Sequence, residues 1–350
     1  MVNTAVIIVN WNGKKYLKDC FDSLERQTYK DFKIVFVDNG SEDGSVDFIK
    51  NRYLGSKFPS IEIIQLEKNT GFCFGYNMGI KKALEDKNIN YVIILNNDTK
   101  LDEKYIEEII NCAKNHPEAG SIQPKVLNFF EPDKIDCAGI LLSIDGVAVN
   151  RGYGEKDQGQ LESEEEIFGA NGTASLLFRE ALEKIQIKEG EYFDNDYFAY
   201  YEDVDLAWRM RLAGFKSFFC PRAKLFHIHS ATANKIFGSK AYYLNRNRFF
   251  TLIKNYPLCR LIVILLFFTP IRYLFLLFRI IMKKGRKSAE FFGQSKKIAA
   301  KEILRGGKDV ISNISNLTKK RRLIQENKRV NGQEIANWFR KYGIKWSKTF

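Results

Sequence analysis

Short apolar runs alternate with amphipathic stretches over the first third of the chain. Ala5–Val9 is an apolar run of strand length, and Leu17, Cys20, Phe21 and Leu24 then recur at helical spacing. Lys33–Val37 reads as a second strand, ending in a turn-rich segment from Asp38 to Ser45, and Val46–Tyr53 reads as a helix. Ile61–Leu66 is a third strand, followed by a helix marked by Phe72, Tyr76, Ile80 and Leu84. Tyr91–Leu95 is a fourth, followed by a helix through Ile106, Ile109 and Ile110. Strands alternating with helices predict an α/β domain with a mostly parallel sheet, whose ligands sit at the carboxyl ends of the strands. Asn10-Trp11, Asp38-Asn39 and Asn96-Asn97-Asp98 all fall at such ends. From about Gly120 to Thr232 the pattern is less regular and richer in glycine, acids and aromatics, and reads as the second half of the same domain.

From Leu258 the pattern changes. Leu261–Phe268 is uninterrupted apolar sequence, Thr269 and Pro270 interrupt it, and Ile271 to Met282 is apolar apart from Arg272 and Arg279. As one helix, 261–282 would be about 33 Å long, enough to span a bilayer. Pro270 would break such a span, and Arg272 near its centre would cost about 2.5 kcal/mol or more. The expectation is therefore two short helices lying in one leaflet, the alternative being a buried helical hairpin in a soluble protein. Residues 1–255 then form the main domain, 256–287 a membrane-associated helical segment, and 288–350 a basic helical tail.

Charge follows the same division. The net charge is +13, and residues 283–350 alone carry +14, so the rest of the chain is nearly neutral. A basic tail after an apolar segment suits the anionic inner face of a cell membrane, giving a cytoplasmic, peripheral protein. Nucleic acid is not an expected partner: Lys319-Lys-Arg-Arg322 is the densest basic patch, and no aromatic stacking platform is interleaved with it. The tail can also serve homo-oligomer formation. The six cysteines show no CxxC pair and no ligand spacing, so neither a zinc site nor a disulfide framework is expected. Met1–Asn10 lacks the basic and apolar regions of a signal peptide. Glycosylation triplets begin at Asn39, Asn97, Asn171, Asn313 and Asn316; the first three lie near the expected site, which favours a chain that does not enter a glycosylating lumen.

Four groups of residues carry candidate chemistry. Asp98 lies just past a buried strand, where a carboxylate can hold a divalent cation against a diphosphate or merely cap a turn. Asp38 can accept a hydrogen bond from a base N–H, or order its own Asx turn. Glu202, Asp203 and Asp205 stand among aromatics at the start of a helical pattern. Acids there suit a helix N-terminus, and a carboxylate in an aromatic cleft can act as general base for a sugar hydroxyl. His227 and His229 are two apart on a strand and share a face, where imidazole can complete a metal site or simply pack.

Taken in order, Val6–Leu24 (VIIVNWNGKKYLKDCFDSL), Val37–Ser45 (VDNGSEDGS), Asn69–Ile80 (NTGFCFGYNMGI), Ile94–Thr99 (ILNNDT), Gly169–Glu180 (GANGTASLLFRE), Phe193–Phe215 (FDNDYFAYYEDVDLAWRMRLAGF) and Leu225–Ser230 (LFHIHS) resemble the inverting family-two glycosyltransferases of GT-A fold, especially the rhamnosyltransferase-like members. The resemblance spans roughly residues 4–255. It implies a mixed sheet flanked by helices, with a nucleotide-binding half and an acceptor half. It implies that Asp38 reads the base of a dTDP- or UDP-sugar donor, that Val9, Asn10 and Trp11 line the base and ribose pocket, and that Asn39, Asn69, Asn77 and Asn97 lie close by. Asp98 would be the surviving acid of the family's DxD metal motif and His227 a late metal or diphosphate ligand, for Mg2+ or Mn2+. Asp203 would be the general base, with Gly172, Thr173, Tyr201 and Glu202 at the acceptor, a glycan or lipid-linked glycan. Asn96 departs from the motif, where an acid is usual. A nucleotidyltransferase is disfavoured by the first loop, Asn10-Trp-Asn-Gly13, which is not the Gly-rich loop with which those enzymes usually begin. A non-catalytic scaffold protein of the same fold is the other alternative.

Overall fold

The computed structural model describes residues 2–55, 60–228, 240–281 and 296–349. The chain forms two compact units, Met1–Ile140 with Asn150–Ala231, and Leu141–Val149 with Thr232–Phe350. The change of composition at 256 falls inside the second.

In the first unit, β1 (Thr4–Asn10), β2 (Phe32–Asp38), β3 (Ile61–Gln65) and β4 (Tyr91–Asn96) pair in parallel in the order β3–β2–β1–β4. The chain thus leaves β1 toward one edge and returns on the other side, placing a topological switch point between β1 and β4. Nearly every residue of β1 and β2 is buried, as expected of parallel strands covered on both faces. Helix α1 (Lys14–Glu25) buries Leu17, Cys20, Phe21 and Leu24, and each large apolar side chain so buried contributes about 1.5–3 kcal/mol. Helix α2 spans Ser45–Tyr53 and α3 spans Gly71–Leu84. The glycines of α3 let it lie close on β1: a Cβ at Gly79 would fall 2.3 Å from Ile7 Cγ2, and one at Gly75 2.8 Å from Val9 Cγ1.

Beyond β4 the sheet is mixed, so the mostly parallel sheet expected from alternation holds only for its first half. β5 (Thr99–Leu101) leads into α4 (Tyr105–Asn115), and β6 (Ala119–Asn128) follows. β7 (Ile135–Cys137) pairs antiparallel with β6, and β8 (Ile140–Leu142) forms a hairpin with β9 (Ala148–Asn150). β10 (Glu165–Ile167) joins the far edge, and β11 (Leu176–Phe178) is inserted antiparallel between β4 and β6. Helices α5 (Arg179–Lys184) and α6 (Glu202–Leu212) precede β12 (Lys216–His227), which runs parallel to β6 and antiparallel to β5. A three-residue apolar strand such as β11 carries no periodicity that encodes its pairing sense.

Apart from most of the β8–β9 hairpin, the second unit is helical among the described residues: α7 (Lys240–Asn255), α8 (Leu258–Val263), a wider π turn over Ile264–Phe268, α9 (Thr269–Ile281), α10 (Lys296–Ser312), α11 (Ile314–Glu326) and α12 (Gly332–Lys341). The two short helices expected around Pro270 are instead one helical run from 258 to 281. Pro270 follows the π turn, where the hydrogen-bond register has already shifted, so its missing N–H does not break the helix. Arg272 is buried, not lipid-facing: its Nε bonds Asp145, and its Nη2 donates to Thr349 Oγ1 at 2.7 Å. Asp145 also lies 3.6 Å from Arg248 Nη2. Burial alone would raise the Asp145 carboxyl, but Arg272, Arg248 and Ser143 hold it below its ordinary value. Leu261, Ile264, Thr269 and Arg272 make the buried stripe, while Leu266, Phe267, Leu274 and Phe278 are each more than half exposed. The stretch Leu258–Phe275 is long and apolar enough to cross a membrane by length and composition.

Candidate active site

The carboxyl ends of β4, β1 and β2 are joined by side chains. Asn97 donates to Asn10 Oδ1 at 2.6 Å, and Asn10 Nδ2 donates to Asp38 Oδ1 at 3.3 Å and to Ser41 Oγ at 3.1 Å. Asp38 Oδ2 accepts the Ser41 N–H at 2.9 Å, so the Asx turn left open by the sequence does form. Gly13 makes room for this network, since a Cβ there would fall 2.1 Å from Asn97 Nδ2. Asn39 ties the end of β2 to the next loop by donating to Asn69 Oδ1 at 3.2 Å and Gly71 O at 3.0 Å. Val9 and Trp11 are half-buried beside these ends.

A second group forms where β5 pairs with β12, because that register sets His227 opposite Thr99 and hence beside Asp98. His227 Nε2 is 3.3 Å from Asp98 Oδ1, and its Nδ1 is 2.7 Å from Asp136 Oδ2. Asp136, on β7, is absent from the expected site. It follows Glu131 and Asp133 in a short charged stretch, with no spacing that marks it as part of a site. An Nδ1–H held by a carboxylate leaves the Nε2 lone pair turned toward Asp98, the arrangement in which histidine ligates metal. The carboxylate suits Mg2+ or Mn2+, and the imidazole nitrogen favours Mn2+ of the two. Burial by itself would lower the His227 pKa, but Asp136 and Asp98 raise it to about 9. A cation bound here therefore competes with a proton. His229 lies outside the described residues.

The third group opens α6. Tyr200 and Tyr201 both take left-handed backbone, φ 68° and 71°, which costs bulky residues about 1–3 kcal/mol each and delivers Glu202 and Asp203 at the first turn. Asp203 Oδ2 accepts the Gly172 N–H at 3.1 Å and its Oδ1 the Val204 N–H at 2.8 Å. Glu202 is buried, and its Oε2 has no hydrogen-bond partner among the described residues. Burial, then the neighbouring Asp203, pushes Glu202 up to about 8. Burial raises Asp203 too, while its two backbone N–H donors oppose the rise. Of these adjacent acids, Glu202 is the one that burial keeps protonated, while the backbone donors to Asp203 favour its charged form. Asp205 points elsewhere, into a buried ion pair with Arg209 at 2.8 Å.

The Gly172–Thr173 segment joins the groups. Gly172 binds Asp203, and the Thr173 carbonyl accepts the Asn96 N–H at 2.8 Å, two residues before Asp98. Thr173 Oγ1 donates to Asn171 Oδ1 at 2.5 Å, which fixes the turn. Asn77 stands apart from the other asparagines. Its Oδ1 accepts from the Tyr192 and Phe193 N–H groups, and its Nδ2 donates to Phe193 O and Asn195 Oδ1. Those bonds use its amide to anchor the loop ahead of α6.

The chain matches the family model described as glycosyl transferase family 2 over residues 5–186. It is 24% identical over 221 residues to the poly-beta-1,6-N-acetyl-D-glucosamine synthase of Staphylococcus epidermidis, across 63% of this chain and 48% of that one. The chain thus spans about half the length of that relative. It is 26% identical over 242 residues to the N-acetylglucosaminyl-diphospho-decaprenol L-rhamnosyltransferase of Mycobacterium tuberculosis, across 63% of this chain and 75% of that one. A solved mannosyltransferase of Pyrobaculum calidifontis in complex with GDP-Man and Mn2+ shares the fold, with a TM-score of 0.54 at 13% identity over 93% of this chain and 85% of that one. The mixed sheet flanked by helices is of the GT-A type.

Proposed function

This chain belongs to glycosyltransferase family 2, and on that premise we propose that it transfers a hexosyl group, with inversion, from a nucleotide-diphosphate sugar to a hydroxyl of a lipid-linked glycan in cell-surface glycan synthesis. The mycobacterial relative's name favours rhamnose as the sugar, and the carrier in this reading is dTDP or UDP. The observation that carries the reading is the short bridge through Gly172 and Thr173, which holds Asp203 next to the strand end bearing Asp98.

In this reading Asp203 removes the proton from the acceptor hydroxyl, and that oxygen attacks the anomeric carbon from the face opposite the diphosphate. Protonated Glu202 spares the site a second negative charge and can donate to a sugar oxygen. Gly172, Thr173 and Tyr201 border the acceptor. Asp38, with Val9, Asn10, Trp11, Asn39 and Asn69, receives base and ribose, while Asn97 orders Asn10 and Asn77 acts at one remove by fixing the acceptor loop. Asp98 and His227 would hold a divalent cation, which when bound supplies positive charge to the departing diphosphate. The exposed apolar side of α8 and α9 seats the protein in one leaflet, since Arg272 is turned away and neutralised by Asp145.

Asp203→Asn is expected to lower kcat by at least 1,000-fold, roughly the upper part of what a general base contributes, with donor affinity unchanged. A thermal-shift panel of nucleotide sugars, with and without Mn2+, reports the donor and serves as the binding control. Normal turnover by Asp203→Asn would exclude Asp203 as the base.

A further inference from the structure

One side-chain cluster of the first unit plays no part in the chemistry above. Cys112 on α4, Cys220 on β12 and Glu164 just ahead of β10 bring two sulfurs and a carboxylate oxygen within 4.8 Å of one another. They come from three separate stretches of chain, so no ligand spacing announces them. Both cysteines are buried, and the half-buried Glu164 opens the cluster to solvent. The Cys220 thiol donates to Glu108 O at 3.6 Å. Arg222 lies over the acidic side, 3.1 Å from both Glu164 Oε1 and Glu108 Oε2. His116 Nε2 stands 3.5 Å from Glu164 Oε2, at the rim. Along β12, Cys220 is seven residues from His227, roughly 20 Å at strand spacing, so this is not an outlying part of the Asp98 centre.

Tetrahedral zinc takes thiolates at about 2.3 Å and carboxylate oxygens at about 2.0–2.2 Å, which puts neighbouring ligand atoms roughly 3.5–4 Å apart. Ligand atoms already within 4.8 Å of one another need only draw closer to meet that. We propose that Cys112, Cys220 and Glu164 form a second metal site, taking one soft divalent ion of the zinc class. Loading forms two metal–sulfur bonds and releases both thiol protons. The ion offsets the two thiolates, and Arg222 faces the carboxylates of Glu164 and Glu108. The fourth position falls to water or to His116. Thiolate donors select against the hard Mg2+ and Mn2+ that suit Asp98 and His227, so the two centres take different ions. A bound ion would pin the end of α4 to β12, the strand that carries His227.

The test uses the full chain, reduced and stripped of metal, titrated with Co2+ and read by thiolate-to-cobalt charge-transfer absorption, with Zn2+-dependent melting as a second readout. We expect one saturating equivalent in the wild type and in Asp98→Ala, loss of the band in Cys112→Ala and Cys220→Ala, and at least tenfold weaker binding in Glu164→Gln. Zn2+ should raise the melting temperature of the wild type but not of the cysteine variants. Glu164→Gln alters only a half-buried carboxylate and keeps the test decisive should an alanine variant fail to fold. No band in the folded wild type, an undiminished band in either cysteine variant, unchanged Co2+ affinity in Glu164→Gln, or isolation of the protein with Cys112 and Cys220 joined as a disulfide that resists reduction would overturn the site. Asp98→Ala retains this band whatever the outcome for glycosyl transfer, so failure here is distinguishable from failure of that reading.

Discussion

Residues with the same chemistry take different parts according to what surrounds them. Asp203 and Glu202 are adjacent acids, yet two backbone N–H donors favour charge on the first and burial holds the proton on the second. Glu202 releases its proton near pH 4.5 when unfolded and near 8 when folded. The folded state therefore binds the extra proton between those values, and the stability it contributes, complete below about 4.5, declines as pH rises toward 8. Glu202→Gln removes the titration. Its urea midpoint should fall less than that of the wild type between about pH 5 and pH 8, and an equal fall would refute the assignment. Asp136 acts through His227. Asp136→Asn should weaken Mn2+ binding in the presence of nucleotide by about 10–100-fold, measured by titration calorimetry, whereas unchanged affinity would remove it from the centre. Asp38, Asp98 and Asp203 are legible in the sequence because each closes a recognisable strand or opens a recognisable helix. Asp136 is not, because its partner His227 is 91 residues away and nothing local refers to it.

At the scale of elements, the alternation of apolar runs makes β1 to β4 and their helices readable, since each follows from local periodicity. The insertion of β11 and the pairing of β5 with β12 depend on contacts remote in sequence, and three-residue strands leave no periodic trace. Asn77 shows the same limit. Its place in a glycine-rich strand-to-helix turn suggests a ligand contact, whereas its amide clamps the 192–195 loop against α3. Asn77→Ala strands buried backbone groups of Tyr192 and Phe193, which should cost about 1–3 kcal/mol in urea unfolding. It should also raise the acceptor KM more than the donor KM. An unaltered unfolding midpoint would show that the clamp is dispensable.

For the molecule as a whole, the basic tail and the apolar segment are plain in the sequence, but the direction in which Arg272 faces is not. Its pairing with Asp145 leaves Leu266, Phe267, Leu274 and Phe278 as exposed apolar side chains of the same helix. Leu266→Lys with Phe267→Lys places two charges on that side. Because burying each apolar side chain contributes about 1.5–3 kcal/mol, sedimentation with anionic vesicles should fall at least tenfold, with nucleotide affinity intact. Undiminished sedimentation would mean that another surface meets the lipid.

The pairing of β5 with β12 has a bearing on the order of assembly. Asp98 emerges early in synthesis, but its partner imidazole sits on the last strand of the first unit, and the register that joins them can form only after that strand has been made. Contacts so far apart in sequence are slow to close and reward the chain late in folding. On the proposed reading, a nascent or partly folded chain presents the strand ends for a nucleotide before it has the paired Asp98 and His227 for a diphosphate, and the complete centre exists only once the sheet is completed.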